Sequence, residues 1–413
     1  MPDLDANEQD AKLSHFIRFG LIRAFPAIAG ITILPILYGV MGPEQYGTYS
    51  LISGYALIII SVAGAIANQP IYRFASNLEQ DRRQHSFMSS AAAITGGACT
   101  LAGTLLYTGE VYPSATLTLF VVCAVKYSTL CVKKTVTRSF VALFCLELAR
   151  ITALVICLWA QAAGPEGLSA NEAFAALALS YLAPCLFQLK ALRSSKPTKE
   201  WAKQKAAFGA TTAIWLLLSG TPWLAGKYVM EVYGSGEALG DYSIASDVFY
   251  RVFGILNAVI ITTTYPVLSS KHAAGRTDSV KKIYRKSIGL YLATGALILI
   301  MATLLANKAD LFGHLSRESS TMTTTAFFAI GLSALIWQHM SVFHKPYELA
   351  LNMKKLVFMM LGSLVVFAGS VAIAAATEEE GLNLKIALAL VLTGLSYHAL
   401  VARFKPASSG AES

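Results

Sequence analysis

Twelve apolar runs, each long enough to cross a bilayer, punctuate this chain of 413 residues. A helix needs about 20 residues to span the hydrocarbon. Runs of that size stand at 16–40, 47–68, 87–108, 114–132, 139–161, 171–191, 208–230, 239–263, 287–306, 321–341, 356–376 and 382–402. Between them the chain is sparing with charge: 14% Asp, Glu, Lys and Arg, where soluble domains carry about 25%. Mean hydropathy is +0.55. A soluble enzyme of this length could not cover so much apolar surface, and a disordered chain would not contain it. The expected class is an all-α integral membrane protein with twelve transmembrane helices.

The basic residues fix an orientation. In the connections and at the ends of the runs, 25 Lys and Arg fall on one side and only Lys308, Arg317 and Lys385 on the other. By the positive-inside rule both termini are expected in the cytoplasm. The formal charge of +9 is therefore a topology signal and not a nucleic-acid footprint, which would gather bases on one wet face. The first fifteen residues are polar and no small-residue cleavage site follows them, so no signal peptide is expected.

Several functions are excluded by what the connections lack. No outer loop exceeds about fifteen residues, which leaves no room for the extramembrane catalytic segment of an envelope polymerase or glycosyltransferase. No Ser-His-Asp set, HExxH or phosphate loop occurs, and the seven histidines are scattered. Cys99, Cys123, Cys131, Cys145, Cys157 and Cys185 sit in or at the ends of apolar runs without CxxC spacing, which reads as packing rather than disulfide or metal chemistry. The chain is expected to be no enzyme and to hold neither metal nor cofactor.

The longest basic connection, Arg193 to Lys205, divides six runs from six, giving expected bundles at 1–200 and 201–413. The halves echo each other. Phe19-Gly20 opens the first run and Phe208-Gly209 the seventh; at an offset of 193 residues Gly47 meets Gly240, Tyr49 meets Tyr242 and Ser50 meets Ser243. With six spans in each copy, the repeat is parallel, about an axis along the membrane normal. Along span two, Ser50, Ser53, Gly54, Ser61, Gly64 and Asn68 recur at helical spacing, and span eight answers with Ser243, Ser246, Asp247, Tyr250, Gly254 and Asn257. Small residues on a face serve close helix packing. The larger Asp247, Tyr250 and Asn257 favour a water-filled cavity between the bundles.

Five bases lie inside runs: Arg23, Lys126, Arg150, Lys227 and Arg251. Each costs about 2.5–3.5 kcal/mol near a helix centre, so they are expected to face protein or water. Glu147 and Arg150, three apart, can neutralise each other. Lys227 stands close enough to the outer boundary to snorkel. Arg251 lies roughly 18 Å inside span eight at 1.5 Å per residue, with Asp247 one turn away as a possible partner. Bases outnumber the two acids of the spans, Glu147 and Asp247, and an excess of that sign attracts anions; arginine's planar fork suits phosphate.

The segments "MGPEQYGTYSL" before span two and "GSGEALGDYSIA" before span eight resemble the Wzx-type polysaccharide transporters of the multidrug/oligosaccharidyl-lipid/polysaccharide (MOP) exporter superfamily. The resemblance implies two six-helix bundles around a cationic central cavity. It also implies a flippase for undecaprenyl-pyrophosphate-linked oligosaccharide, the repeat of an O-antigen, capsule or exopolysaccharide, working by alternating access. Arg23, Lys126, Arg150 and Arg251 would hold the pyrophosphate, and Ser50, Ser53, Asn68, Ser243, Asp247, Tyr250 and Asn257 would line the cavity. Membrane lipids, a polysaccharide polymerase and a chain-length regulator would be its partners, with no nucleic acid. Related peptidoglycan-precursor flippases use arginines of spans one and eight, which correspond to Arg18 or Arg23 and to Arg251; their two additional spans are not matched here. The alternative is a multidrug or small-solute antiporter of the same superfamily, in which Asp247 and Glu147 couple ions. Major-facilitator transporters also have six plus six spans, but Asp81-Arg82-Arg83 lacks the glycines that flank their loop signature.

Overall fold

The computed structural model describes residues 25, 28–73, 78–137, 139–162, 168–186, 198–309, 322–349, 353–377 and 381–403. Arg18 and Arg23 lie outside them. Within the described residues the protein is all helix. The long helices are α1 (Ile28–Met41), α2 (Pro43–Arg73), α3 (Leu78–Thr108), α4 (Val111–Val136), α5 (Phe140–Ala162) and α6 (Ala170–Leu186) in the first half. The second half contains α7 (Lys199–Tyr233), α8 (Gly236–Ala273), α9 (Thr277–Ala309), α10 (Thr324–Phe343), α11 (Met353–Ala376) and α12 (Leu382–Arg403), with a short helix Lys345–Leu349 after α10. Nine of these are long and apolar enough to cross a membrane.

Each of the twelve long helices falls on one of the twelve apolar runs, but α3, α7, α8 and α9 extend well past them toward the basic connections. The extensions, such as Leu78–Arg83 and Thr277–Lys286, are rich in Glu, Gln, Lys and Arg, residues with good helix propensity. Hydropathy therefore marks where hydrocarbon ends, not where the helix does.

At the opposite end the chain turns tightly. Gly42 joins α1 to α2 with φ of 78°, a left-handed conformation that costs glycine nothing and ends a helix cleanly. Its N–H donates to the Tyr38 carbonyl and its own carbonyl accepts from the Tyr46 N–H. Gly109, between α3 and α4, repeats the device with φ of 70°. We call this the tight-turn end of the molecule and the other the basic end.

The two halves are pseudo-symmetric, and α2 joins them, lying along both α7 and α8. Glycines permit the approach. A Cβ on Gly240 would collide with the Pro43 carbonyl, and one on Gly47 would stand 3.0 Å from the Gly240 nitrogen. These two glycines are partners in the sequence repeat, and the symmetry sets them face to face at the tight-turn end. Nearer the basic end, Gly209 of α7 meets the backbone of Ile66. The cores mostly follow the halves. One cluster gathers Leu34, Tyr38, Tyr46, Tyr49, Phe120, Val121 and Phe174 with Ile244 as its visitor from α8. A second centres on Phe249, Phe253, Tyr291, Leu299 and Ile330. A third holds Trp215, Trp337, Met360 and Tyr397.

Candidate functional site

Where α2 meets α7 and α8, a buried polar cluster spans the two halves. Lys227 of α7 has no exposed surface; its Nζ donates to Asp247 Oδ1 at 2.6 Å and to Ser50 Oγ at 2.5 Å. Ser50 in turn donates to Asp247 Oδ2 at 2.5 Å, and Tyr46 adds a bond to the same oxygen at 3.1 Å. The ammonium also lies 3.9 Å from the centre of the Trp223 ring. Three donors on one carboxylate and a cation held by two oxygens and a π face offset the cost of burying both charges. This corrects two expectations. Lys227 does not snorkel, because its side chain turns inward to Asp247. Asp247 does not pair with Arg251, because its carboxylate points to α2 and α7.

Arg251 reaches the other way. Its Nη1 donates to the Gly30 carbonyl of α1 at 2.7 Å, again across the halves. No carboxylate of the described residues lies within ion-pair distance of it. Two further bonds tie the halves nearer the tight-turn end: Tyr38 to Asp241 and Tyr107 to Glu231. Asp241 is itself buried, a third membrane acid beside the two counted from sequence.

On the basic side of this cluster lies a cleft of about 220 Å³, walled by α2, α7, α8 and α10. Its surface is aromatic and uncharged: Trp215, Trp223, Tyr250 and Trp337, with Ser61, Ser219 and Gln338 between them. Pockets that enclose drug-sized ligands run to about 300–1,000 Å³, so this conformation admits a single ring-sized group. Two indoles are satisfied, Trp215 on the Tyr397 hydroxyl at 3.3 Å and Trp337 on the Ser219 carbonyl at 2.9 Å. The Trp223 Nε1 and the Tyr250 hydroxyl are buried without a hydrogen-bond partner, and their rings lie 5.3 Å apart. Buried donors are rarely left so; an acceptor-bearing ligand would complete them.

The remaining sequence candidates are dispersed. Lys126 of α4 bonds to Ser90 of α3. Arg150 is held by Glu147 at 3.1 Å and covers the rings of Tyr127 and Tyr181 at 5.8 and 5.1 Å. Asn68 is taken up inside the first half, donating to Ser128 at 3.0 Å and accepting from Thr129 at 2.8 Å. Ser53 bonds to the carbonyl of Ser50 on its own helix. Ser243 and Asn257 are buried with an unpartnered oxygen each. Of the candidates, Ser50 and Asp247 thus meet in the inter-half cluster and Tyr250 lines the cleft. None of the bases lines that cleft. Sequence reasoning missed its tryptophans, although Trp215 and Trp223 are eight apart and so share one face of α7.

No known family profile matches the chain, and no curated protein matches it in sequence. Solved structures do. Over 93% of this chain and 97% of its counterpart, the fold superposes on an inward-facing multidrug resistance MATE family transporter of the MOP superfamily, with a TM-score of 0.66 at 13% identity. The fold is that of the MATE transporters. A eukaryotic MATE transporter matches over 94% of this chain and 93% of its own, at TM-score 0.63 and 11% identity. An outward-facing MATE structure of the MOP superfamily gives 0.64 at 14% identity, with 93% of each chain covered. In this MATE-like frame, the polar cluster and the cleft lie where the two pseudo-symmetric halves meet.

Proposed function

We propose that the protein is an alternating-access flippase that carries undecaprenyl-pyrophosphate-linked oligosaccharide across the bacterial inner membrane. The moving units would be residues 1–200 and 201–413, with both termini cytoplasmic. The tight-turn end then faces the periplasm, and the inter-half bonds of Tyr38, Lys227, Asp247 and Glu231 hold it closed. One observation carries the choice of cargo. Of the buried acids, Asp247 and Glu147 are each held by a fixed base and Asp241 accepts from the Tyr38 hydroxyl, whereas among the described residues Arg251 and Lys126 meet no carboxylate and bond to neutral oxygens. The charge left over inside the membrane is positive, and a pyrophosphate answers it. The Trp223 indole and the Tyr250 phenol, each with an unpartnered donor, suit a sugar ring, which offers apolar C–H faces and hydroxyl acceptors. A polymerase and a chain-length regulator would act on the delivered repeat.

A second reading, export of flat multidrug-type solutes, is favoured by the uncharged aromatic wall of the cleft and by the likeness to a multidrug resistance transporter. Deleting the gene in its host separates the two. The flippase reading expects loss of surface glycan, restored by the wild-type gene, not by Arg251→Ala at equal protein level, and in part by Arg251→Lys. Intact glycan together with raised susceptibility to planar drugs would sink it in favour of the second.

A further inference from the structure

Away from the inter-half cluster, two histidines meet between α10 and α12. His339 Nδ1 lies 2.8 Å from His398 Nε2, and His398 Nδ1 lies 2.7 Å from the Gly394 carbonyl. A carbonyl can only accept, so His398 carries its proton on Nδ1 and offers a bare Nε2. His339 must then donate from Nδ1, which leaves its own Nε2 as a bare lone pair. That nitrogen is buried and has no partner, on a side chain 5% exposed. The rings are parallel within 1°. A chain of two imidazoles ending on a carbonyl, with one free basic nitrogen, is built to take one proton.

The surroundings do not neutralise it in advance. From α9 comes the Tyr291 phenol, its ring 5.3 Å from His339 and its hydroxyl spent on the Leu335 carbonyl. Phe343 of α10 lies 5.6 Å from His339 and 4.8 Å from His398. From α12 comes Tyr397, 6.3 Å from the His398 ring. His344, the other histidine here, is held by Tyr397 and by Glu348 at 2.8 Å, and Glu348 is shared with Lys345. Glu348, the carboxylate beside His344, therefore already has two partners. His339 also sits between Gln338 and Met340, which line the cleft, so a change of charge there acts on the helix that walls the cargo space.

We infer that the His339–His398 pair is the proton-binding site that couples this transporter to a proton gradient, a proposal that rests on the alternating-access reading above. With the tight-turn end closed, the pair is dry and neutral. A proton favours the alternative state, in which water can reach the charged ring; a ligand shifts an equilibrium toward the state that binds it better. Protonation would then occur while the periplasmic side is open and release after it closes, without help from Asp247 or Glu147.

The test needs no cargo. Spin labels at Val111→Cys on α4 and Asn307→Cys on α9, both exposed at the tight-turn end, report the separation of the halves in nanodiscs in a cysteine-free background. Between about pH 8 and about pH 5, the range in which histidine titrates, the wild type is expected to gain a longer-distance population. His339→Gln and His339→Asn are expected to lose that gain, while His344→Gln keeps it. No pH response in the wild type overturns the proposal, as does a response that survives in both folded His339 variants. Flipping of a fluorescent undecaprenyl-pyrophosphate disaccharide in liposomes, with and without an imposed pH gradient, is measured alongside. Absent flipping with an intact pH-driven distance change removes the cargo assignment and leaves the proton site standing; flipping indifferent to the gradient removes the proton site and leaves the cargo.

Discussion

Replacing Asp247 by Asn should be among the most damaging single changes in this protein. The carboxylate accepts from Lys227, Ser50 and Tyr46, and the ammonium it neutralises has no exposed surface. Asn keeps the shape but leaves a buried cation with one serine oxygen and a neutral amide. Removing one partner of a buried pair costs about 3–5 kcal/mol, because the other charge stays buried and uncompensated. The reverse change, Lys227→Met, should cost less, since Asp247 retains the Ser50 and Tyr46 hydroxyls. The double variant Lys227→Met/Asp247→Asn removes both charges, and replacing a whole buried pair is often close to neutral. Reversible unfolding in mixed micelles, run as a double-mutant cycle, would read the coupling. A coupling energy above about 2 kcal/mol is expected, with the double variant more stable than Asp247→Asn alone. A value below about 1 kcal/mol, the range of exposed pairs, would refute the reasoning, because it would mean the cluster is wet or open in the membrane.

Other consequences can be checked separately. Gly240→Val sets a side chain against the Pro43 carbonyl, where even a Cβ has no room; the halves should part there, and a membrane-impermeant maleimide should label Ser243→Cys in that background but not without it. Arg150→Met strands the Glu147 carboxylate and should lower stability by about 3–5 kcal/mol, regained in large part with Glu147→Gln; a loss below about 1 kcal/mol would mark the pair as solvated. Tyr250→Phe deletes an unpartnered buried hydroxyl, so unfolding should show unchanged or higher stability, while glycan flipping should fall if that hydroxyl meets the sugar. A clear loss of stability would show that the hydroxyl has a partner in the membrane.

Much of the architecture is legible without coordinates because hydropathy counts hydrocarbon directly. Every apolar run carries a helix, and the Gly47/Gly240 echo is a contact on the axis between the halves. The polar stripes are legible as stripes, since Ser50, Asp247 and Tyr250 sit on faces turned toward the other half. Their partners are not. Spacing rules see one helix at a time, so they match Asp247 with Arg251 one turn away and not with Lys227, which reaches it from the neighbouring α7. The histidine pair, one member on α10 and one on α12, is invisible for the same reason. Trp215, Trp223 and Trp337 pass as ordinary apolar residues because composition cannot distinguish an indole facing lipid from one facing a cleft.

The most direct measurement is flipping itself. The purified protein is placed in liposomes bearing a fluorescent undecaprenyl-pyrophosphate-linked disaccharide, and the outer leaflet is quenched with dithionite. The account predicts that the second leaflet empties several-fold faster with the wild type than with Arg251→Ala or without protein. Equal rates in all three, in vesicles where the same preparation moves a planar cation such as ethidium, would contradict it.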